Sequence, residues 1–259
     1  MPIITFLSDF GEEDHYVASV KASILSKNPV QVIVDISHKI DKHDITHSSF
    51  TLSSIFRQFP KGSIHIVAIN SDDYKGNHIV IKLEDHFFIG PNNGLFGLIS
   101  ERAPEAVQEI EASDDTVFIA KHLYSEIALK LANGEDIGTI GNPLTTEIER
   151  KINRQLRATK QAINGHVIRV DSYGNLITNI DLKTFQILSK EKSFLISFGR
   201  EKIDRLNKSY YEVDGGDIFV LFNDLKLLEI GINKGSATQL LGLSFESPIN
   251  IIFAPQDRA

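Results

Sequence analysis

The stretch IITFLSDFGEEDHYVASVKASILS, residues 3–26, contains an apolar segment, a polar turn and an amphipathic segment in direct succession. Ile3–Leu7 is a near-continuous apolar run, which is typical of a strand buried on both faces of a sheet. His15–Ser26 follows with the apolar spacing of a helix. A strand, a turn and a helix in this order predict the beginning of an α/β unit.

The same alternation continues along the first half of the chain. Val30–Ile36 and Ser63–Ile69 are further apolar runs, and Ile45–Phe59 between them has a helical pattern. Because strands that alternate with helices usually pair in parallel, the pattern predicts an α/β N-terminal domain. We expect it to contain a mostly parallel sheet with helices on both faces.

Shorter elements follow this alternation. Ile79–Leu83 and Phe87–Ile89 are predicted strands, and the polar residues Asn92–Gly94 are predicted to start a helix. A further helix is predicted near Phe118–Ala132, where the following Asn and Gly provide a left-handed stop.

The pattern changes at Gly141–Lys160, which is polar, contains Pro143 and is rich in Glu, Arg and Lys. We therefore predict an α/β domain at 1–150, a linker at 151–160 and a C-terminal domain at 161–259. Short strands separated by turn signals predict a smaller all-β, barrel-like C-terminal domain. These strands are predicted at Gly165–Val170, Leu176–Ile180, Phe194–Phe198, Ile218–Asn223, Leu227–Ile232 and Ile249–Phe253.

Composition limits the kinds of partner. The chain has 259 residues, no Cys and a formal net charge of −7 at pH 7. The lack of Cys removes disulfides and thiolate chemistry, and it suits a reducing compartment. Without a signal-like start or a long apolar run, we expect a cytoplasmic protein with no membrane contact. The negative charge argues against nucleic acid and favours a small-molecule or protein partner.

Asp9 follows the first strand directly. Ligands of open α/β sheets bind beyond the carboxyl ends of the strands. An ionised Asp has two acceptor oxygens, so it can bind both cis hydroxyls of a ribose. The alternative interpretation is that Asp9 or Asp14 caps the following helix.

A polar turn of sequence DSYGN joins two predicted strands of the second domain. Gly174 permits a positive φ there, while Asp171 and Asn175 can point at a ligand from either end of the turn. The simplest interpretation is an ordinary β-turn. Tyr210 and Tyr211 are most simply strand aromatics that pack on the core. The alternative is a platform for a planar base.

Three histidines, His38, His43 and His47, lie close together in the sequence. His43 and His47 have helical spacing, and two imidazoles on one helix face can hold zinc with Asp44 as a base. Asp44 also suits the first turn of a helix, where it favours the helix dipole. We favour this second interpretation and predict no metal and no cofactor. A metal-dependent hydrolase is kept as a remote alternative.

Five strings in the chain together resemble one family. They are SDFGEEDHYVASVK at Ser8–Lys21, VDISH at Val34–His38, GPNNGL at Gly90–Leu95, VDSYGNLITNI at Val170–Ile180 and LLEIGINKGSA at Leu227–Ala237. Their order and spacing are similar to those of the S-adenosylmethionine (SAM) hydroxide adenosyltransferases, or SAM hydrolases, relatives of the SAM-dependent fluorinase and chlorinase. The resemblance implies an α/β domain followed by a β-barrel. It also implies a homotrimer that binds SAM between the N-domain of one subunit and the C-domain of its neighbour.

The resemblance also assigns residues to SAM or adenosine. It implies that Asp9 binds the ribose hydroxyls, that Asp14 lies near the methionine end and that Asp171 binds the amino-acid amine. The adenine is expected against an amide edge, an aromatic ring and the backbone of a turn. The residues at these places are Asn175, Tyr210, and Lys234 with Ser236.

The implied reaction is displacement at C5′ of the sulfonium by water, which gives adenosine and methionine. Family hydrolases activate the water with an Asp, an Arg and a His, for which this chain has Asn70, Asn77 and Ile119. An amide cannot act as a general base, and Ile neither donates nor accepts a proton. Nearby substitutes are Asp72, Asp73 and His122. The sequence thus supports a SAM hydrolase or, alternatively, a catalytically inactive adenosine- or SAM-binding protein, such as a sensor or scaffold.

Overall fold

The computed structural model describes residues 1–72, 76–111, 113, 116–152 and 154–255. The chain forms two compact units, Met1–Asn153 and Arg154–Ala259. Each unit has its own apolar core. Across the ranges just given, no helix combines the length and the apolar composition needed to cross a bilayer.

The first unit is built on one mixed sheet. Its strands are β1 (Ile4–Ser8), β2 (Ile33–Ser37), β3 (Ile64–Ala68), β4 (His78–Leu83), β5 (His86–Pro91), β6 (Ala106–Ile110) and β7 (Asn142–Pro143). Their order across the sheet is β2-β1-β3-β5-β4-β6-β7. β1 runs parallel to β2 and β3, and β3 runs parallel to β5. β4 is antiparallel to β5 and β6, and β6 is antiparallel to β7.

The prediction of a mostly parallel sheet is not met, because half of the pairings between these described strands are antiparallel. The cause is the tight turn between β4 and β5. Glu84 and Asp85 have φ angles of 52° and 64°. Two successive positive φ angles are typical of the hairpin turn whose twist suits antiparallel strands. The apolar runs in the sequence identify buried strands but contain no information on their direction.

Helices cover both faces of this sheet, as predicted. They are α1 (Tyr16–Lys27), α2 (Ile45–Ile55) and α3 (Ser125–Ala132), with a π-helical turn, Ala120–Tyr124, before α3. Alternate residues of a strand point to opposite faces. Phe6 therefore packs in one cluster with Val20 of α1 and Ile127 of α3, whereas Leu7 packs in another with Leu52 of α2.

The helix predicted to begin at Asn92–Gly94 is wrong. Residues 92–105, all of which are described, contain turns and no helix. Asn93 uses its side chain to hold neighbouring backbone: Nδ2 donates to the Ile69 carbonyl at 3.0 Å, and Oδ1 accepts from Leu95 N at 3.3 Å. These polar residues thus close the end of the sheet instead of starting a helix.

The second unit is built on a nearly closed, barrel-like antiparallel sheet, which confirms the barrel-like prediction for this part, although two short helices were not predicted. The strands are β8 (Arg157–Ala158), β9 (Ala162–Val170), β10 (Leu176–Asp181), β11 (Lys192–Phe198), β12 (Glu201–Ile203), β13 (Ile218–Phe222), β14 (Leu227–Ile232) and β15 (Pro248–Pro255). Their order is β12-β11-β15-β9-β10-β14-β13, with β8 on β9. Two short helices, α4 (Leu182–Ser189) and α5 (Ala237–Leu241), complete the unit.

Candidate ligand-binding site

A cavity of about 590 Å³ lies in the second unit, next to the turn between β9 and β10 and the loop after β14. All of the residues predicted to bind the ligand in this unit line it. They are Asp171, Asn175, Tyr210, Lys234 and Ser236. The volume is within the range of small-molecule sites. The fold thus brings together residues that are up to 65 positions apart (from 171 to 236).

The turn between β9 and β10 is rigidly organised by Asp171. Its Oδ1 accepts from the backbone N–H groups of Tyr173 at 2.9 Å and Asn175 at 2.8 Å. Gly174 has a φ of 82°, and a Cβ at this position would lie 2.2 Å from Ser236 Oγ. Glycine is therefore required both by the turn and by its close approach to the loop after β14. This approach joins the two sides of the cavity.

Glu229 on β14 lines the same cavity but is almost fully buried. Its Oε1 accepts from Asn175 Nδ2 at 3.0 Å, and its Oε2 accepts from Asn223 Nδ2 at 3.0 Å. Burial raises the pKa of Glu229, and the nearby Asp171 carboxylate raises it further against the two amides. Sequence reasoning did not identify Glu229. The available signal was a single acid within the apolar run LLEIGI.

Tyr210 lies in a turn, so the prediction that the two tyrosines are strand aromatics is wrong. Its ring meets Phe219 of β13 edge to face, with ring centroids 5.1 Å apart and planes at 82°. Phe219 has room there because the facing residue is Gly231, whose Cβ would lie 2.0 Å from Phe219 Cζ. Tyr210 is 49% exposed and lines the cavity. Tyr210 therefore presents an aromatic ring to the cavity, and Phe219 packs against this ring.

Lys234 and Ser236 form the loop between β14 and α5. Lys234 has a φ of 57°, and Ser236 is the N-cap of α5. The Gly235 N–H donates to the Ile232 carbonyl at 3.0 Å, which closes this loop tightly. The loop therefore presents its backbone at the cavity wall.

In the first unit, Asp9 is buried at the end of β1. Its Oδ2 accepts from the backbone N–H groups of His43 at 2.9 Å and Asn70 at 3.2 Å. Asp9 therefore connects two loops. The alternative that Asp9 or Asp14 caps α1 is wrong, because the N-cap residue is His15 and no side chain caps this helix. Asp14 is exposed.

The positions that the resemblance assigned to water activation lie at the same end of the first sheet. Asn70 follows β3 with a φ of 51°, and Asn77 directly precedes β4. The Asn77 carbonyl accepts from Asn92 N at 2.8 Å, next to the end of β5. Ile119 lies before the π-helical turn, and its N–H donates to Asp72 Oδ1 at 2.8 Å. Asp72 thus links the loop after β3 to this turn.

The other expected substitutes are placed differently. His122 lines two surface cavities together with Glu126 of α3. One of these is bordered by α1 residues such as Ser23. Asp73 lies outside the described residues.

The three histidines considered for a metal do not form one cluster. His38 Nδ1 lies 2.7 Å from Ser8 Oγ, and its Nε2 lies 3.2 Å from Asp35 Oδ1. Within the described part of the chain, the group of three potential ligands that comes together is Asp41, Asp44 and His47. Asp44 is the N-cap of α2 and accepts from His47 N at 2.9 Å, which confirms its predicted role at the helix start.

These features define a class of protein with a mixed α/β unit, a barrel-like antiparallel unit and an aromatic, acid-lined cavity in the latter. Residues 4–141 match the SAM hydroxide adenosyltransferase N-terminal domain, and residues 165–250 match the C-terminal domain of that family. The chain belongs to the SAM hydroxide adenosyltransferase family, which confirms the resemblance found in the sequence.

Individual proteins agree with this assignment. The (R)-S-adenosyl-L-methionine hydrolase of Methanocaldococcus jannaschii is 29% identical, and the match covers 98% of this chain and 97% of the relative. The enzyme of the same name from Thermus thermophilus is 26% identical over 96% of this chain and 99% of the relative. The crystal structure of an uncharacterized conserved protein from Thermotoga maritima has a TM-score of 0.87 and 27% identity, covering 96% of this chain and all (100%) of that chain.

Proposed function

We propose that this chain binds SAM through the adenosine portion and acts as a SAM hydrolase, with SAM and water giving adenosine, methionine and a proton. One observation carries the proposal: the residues expected at the adenine and at the amino-acid amine line a single cavity of about 590 Å³. The names of the two hydrolase relatives support the same substrate.

The lining chemistry suits the two ends of this ligand. The half-exposed ring of Tyr210, supported by Phe219, offers a face on which adenine stacks. Asp171 lines the same cavity and offers a carboxylate for the ammonium group of methionine. The net charge of −7 also favours a cationic sulfonium substrate.

Asp9 is the proposed partner of the ribose. Its Oδ2 accepts two backbone N–H groups, whereas Oδ1 accepts no hydrogen bond from the residues that the structure describes. Oδ1 is therefore the oxygen proposed to accept from the ribose hydroxyls. We propose a homotrimer in which Asp9 of one subunit and the cavity of a neighbouring subunit bind the same SAM molecule.

The reaction makes modest demands on the protein. The leaving group is neutral methionine, which departs from a positively charged sulfur and needs no general acid. The site therefore has to align water with C5′ and exclude other water, and both effects are supplied by positioning and desolvation. The C–O bond forms as the C–S bond breaks, and the proton lost by the attacking water passes to solvent.

A second candidate is a catalytically inactive SAM- or adenosine-binding protein. It is favoured by the identities of Asn70, Asn77 and Ile119 at the family's water-activating positions. Amides are not bases, and removal of a group that acts as part of a catalytic unit usually costs orders of magnitude in rate.

Calorimetry and product analysis separate the two candidates. SAM and adenosine are titrated into the protein, and a parallel incubation with SAM is analysed by chromatography for adenosine. We expect binding of both ligands and adenosine formation above the uncatalysed background. Binding without product identifies the inactive protein, and a lack of binding removes both candidates.

A further inference from the structure

Glu229 lines the proposed adenosine cavity and holds two amides at once. Each of its oxygens accepts one amide N–H, from Asn175 and from Asn223, at 3.0 Å in both cases. The side chain is 4% exposed, so these hydrogen bonds are shielded from water. A buried carboxylate with two fixed donors has a single stable orientation.

This arrangement determines which way the Asn175 amide faces. Nδ2 donates to Glu229 Oε1 at 3.0 Å and to Asp171 Oδ2 at 3.2 Å, so both amide hydrogens are used. A flipped amide would point its oxygen at two carboxylates, which have no hydrogens to donate when ionised. Asn175 Oδ1 is therefore left as the free group, and it accepts no hydrogen bond from the described residues.

This oxygen belongs to a residue of the cavity wall. Asn175 lines the cavity, and Oδ1 is the polar atom of its side chain that no described residue engages. The facing residue is Gly231, and a Cβ there would lie 2.5 Å from Oδ1. The missing side chain gives Oδ1 its space.

Glu229 is itself anchored to a strand hairpin. Asn223 donates Nδ2 to Glu229, while its Oδ1 accepts from Leu227 N at 3.1 Å. The backbone of Asn223 also accepts from Lys226 N at 2.9 Å. The turn between β13 and β14 thus holds the side chain of Asn223 in one orientation. Asn223 in turn orients the carboxylate of Glu229, and Glu229 orients the amide of Asn175.

We propose that Glu229 is a positioning residue that holds Asn175 as a hydrogen-bond acceptor at the cavity, so that the site selects a purine nucleoside with an amino group on its six-membered ring. The inference rests on the proposed adenosine site and goes beyond it. The 6-amino group of adenine is a donor, whereas inosine has an acceptor oxygen there and purine riboside has only a hydrogen. Asn175 Oδ1 accepts a hydrogen bond from the amino group of adenosine, repels the oxygen of inosine and makes no hydrogen bond to purine riboside.

Calorimetry with adenosine and purine riboside tests whether the site selects the 6-amino group. The two ligands share ribose and ring, so the ratio of their dissociation constants isolates the amino group. We expect wild-type protein to prefer adenosine about tenfold, the value of one good hydrogen bond. In Glu229→Gln, one oxygen and one NH₂ replace two acceptors, so the carboxylate pair no longer holds both amides. Asn175 then depends on Asp171 Oδ2 for its orientation, and the ratio should fall toward one. Glu246→Gln removes an exposed charge of the same unit away from the cavity and should keep the tenfold ratio.

Each outcome has a separate meaning. Wild-type protein that binds both nucleosides equally, or Glu229→Gln protein that keeps the tenfold ratio, overturns the inference while the adenosine site stands. Equal weakening of both ligands in Glu229→Gln also overturns it, because that result indicates a structural role alone. Wild-type protein that binds neither nucleoside overturns the proposed function together with the inference.

A measurement on the unaltered chain avoids any folding defect of the variant. In ¹⁵N-labelled protein, the side-chain amide hydrogens of Asn175 should exchange with solvent at least about tenfold more slowly than those of the exposed Asn142. Equal exchange rates would mean that the carboxylates do not hold the amide, which overturns the proposal.

Discussion

Tyr210 and Tyr211 follow each other in one turn, but their surroundings differ. Tyr210 lines the cavity and rests on Phe219, whereas Tyr211 is 85% exposed and lies outside the cavity wall. We expect Tyr210→Ala to weaken adenosine binding at least about tenfold, because stacking of a base on an aromatic ring contributes roughly 1–3 kcal/mol. Tyr211→Ala is the matched control and should change the affinity less than about twofold. Calorimetry checks both, and equal effects of the two variants would contradict the assigned platform.

The individual residues of this cavity differ in how visible they are in the sequence. Asp171, Gly174 and Asn175 form a dense polar turn between apolar strands, so local chemistry marks them as candidates. Glu229 carries no such local signal, since its importance comes from Asn175, which is 54 positions away in the chain. Burial and cross-strand contact are products of the fold. A single sequence therefore reveals the turn but not the carboxylate beneath it.

Strand direction was the main error in predicting the elements. The apolar runs identified β1, β3 and β5 because parallel strands in the middle of a sheet are apolar on both faces. The direction of β4 depends on the two-residue turn at Glu84 and Asp85, in which Asp tolerates a positive φ but Glu is not a typical residue for it. The tertiary context imposes this turn. The barrel-like strands were easier to predict, because Gly-containing turns mark where most of them begin and end.

The pairing of β13 with β14 depends on a glycine that makes the cavity possible. A Cβ on Gly231 would lie 2.0 Å from Phe219 Cζ and 2.5 Å from Asn175 Oδ1. We expect Gly231→Ala to lower the free energy of unfolding by roughly 1–3 kcal/mol, the usual cost of overpacking. Adenosine binding should weaken as well, since both displaced groups line the cavity. Urea unfolding followed by circular dichroism measures the first effect, and calorimetry measures the second.

Gly215 provides the matched control on the neighbouring turn. It does not have a positive φ, and its Cβ would meet Lys234 Cδ at an ordinary 3.5 Å. Gly215→Ala should therefore stay within about 0.5 kcal/mol of the wild-type protein. Equal free energies of unfolding for Gly231→Ala and Gly215→Ala would show that the close contacts at Gly231 do not affect stability.

At the scale of the whole molecule, two histidines of the first unit and one glutamate of the second are buried and have pKa values shifted in opposite directions. In the first unit, burial lowers the pKa of His65 to about 3 and that of His78 to about 4. His65 Nδ1 lies 2.7 Å from Thr5 Oγ1, and its Nε2 lies 3.2 Å from His86 Nδ1. In the second unit, burial raises the pKa of Glu229. Each shift disfavours the charged form of the group, but the charged forms occur at opposite ends of the pH range.

The sign of each group's contribution to the free energy of unfolding follows from whether the folded or the unfolded chain binds its proton more tightly. In the unfolded chain, His65 and His78 take up a proton near pH 6.5, whereas in the folded chain they do so only near pH 3 and pH 4. Their contribution to the free energy of unfolding is therefore complete above pH 6.5 and is lost as the pH falls toward these lower values. The folded chain holds the Glu229 proton more tightly than the unfolded chain does. The contribution of Glu229 is therefore complete below the unfolded pKa near 4.5 and is lost as the pH rises through its folded pKa.

Acid should therefore destabilise the first unit more than the second, in which burial also lowers the pKa of one histidine, His166, but by less. Between pH 7 and pH 5, we expect each of the two histidines to remove about 2 kcal/mol from its unfolding free energy. The glutamine in the His65→Gln variant does not titrate in this range. Between pH 7 and pH 5, the unfolding free energy of this variant should therefore fall by about 2 kcal/mol less than that of the wild-type protein. Hydrogen exchange read by mass spectrometry, corrected for the intrinsic effect of pH, resolves Met1–Asn153 from Arg154–Ala259. Equal loss of protection in both units, or an unchanged pH response in His65→Gln, would show that these histidines do not control the acid stability of the chain.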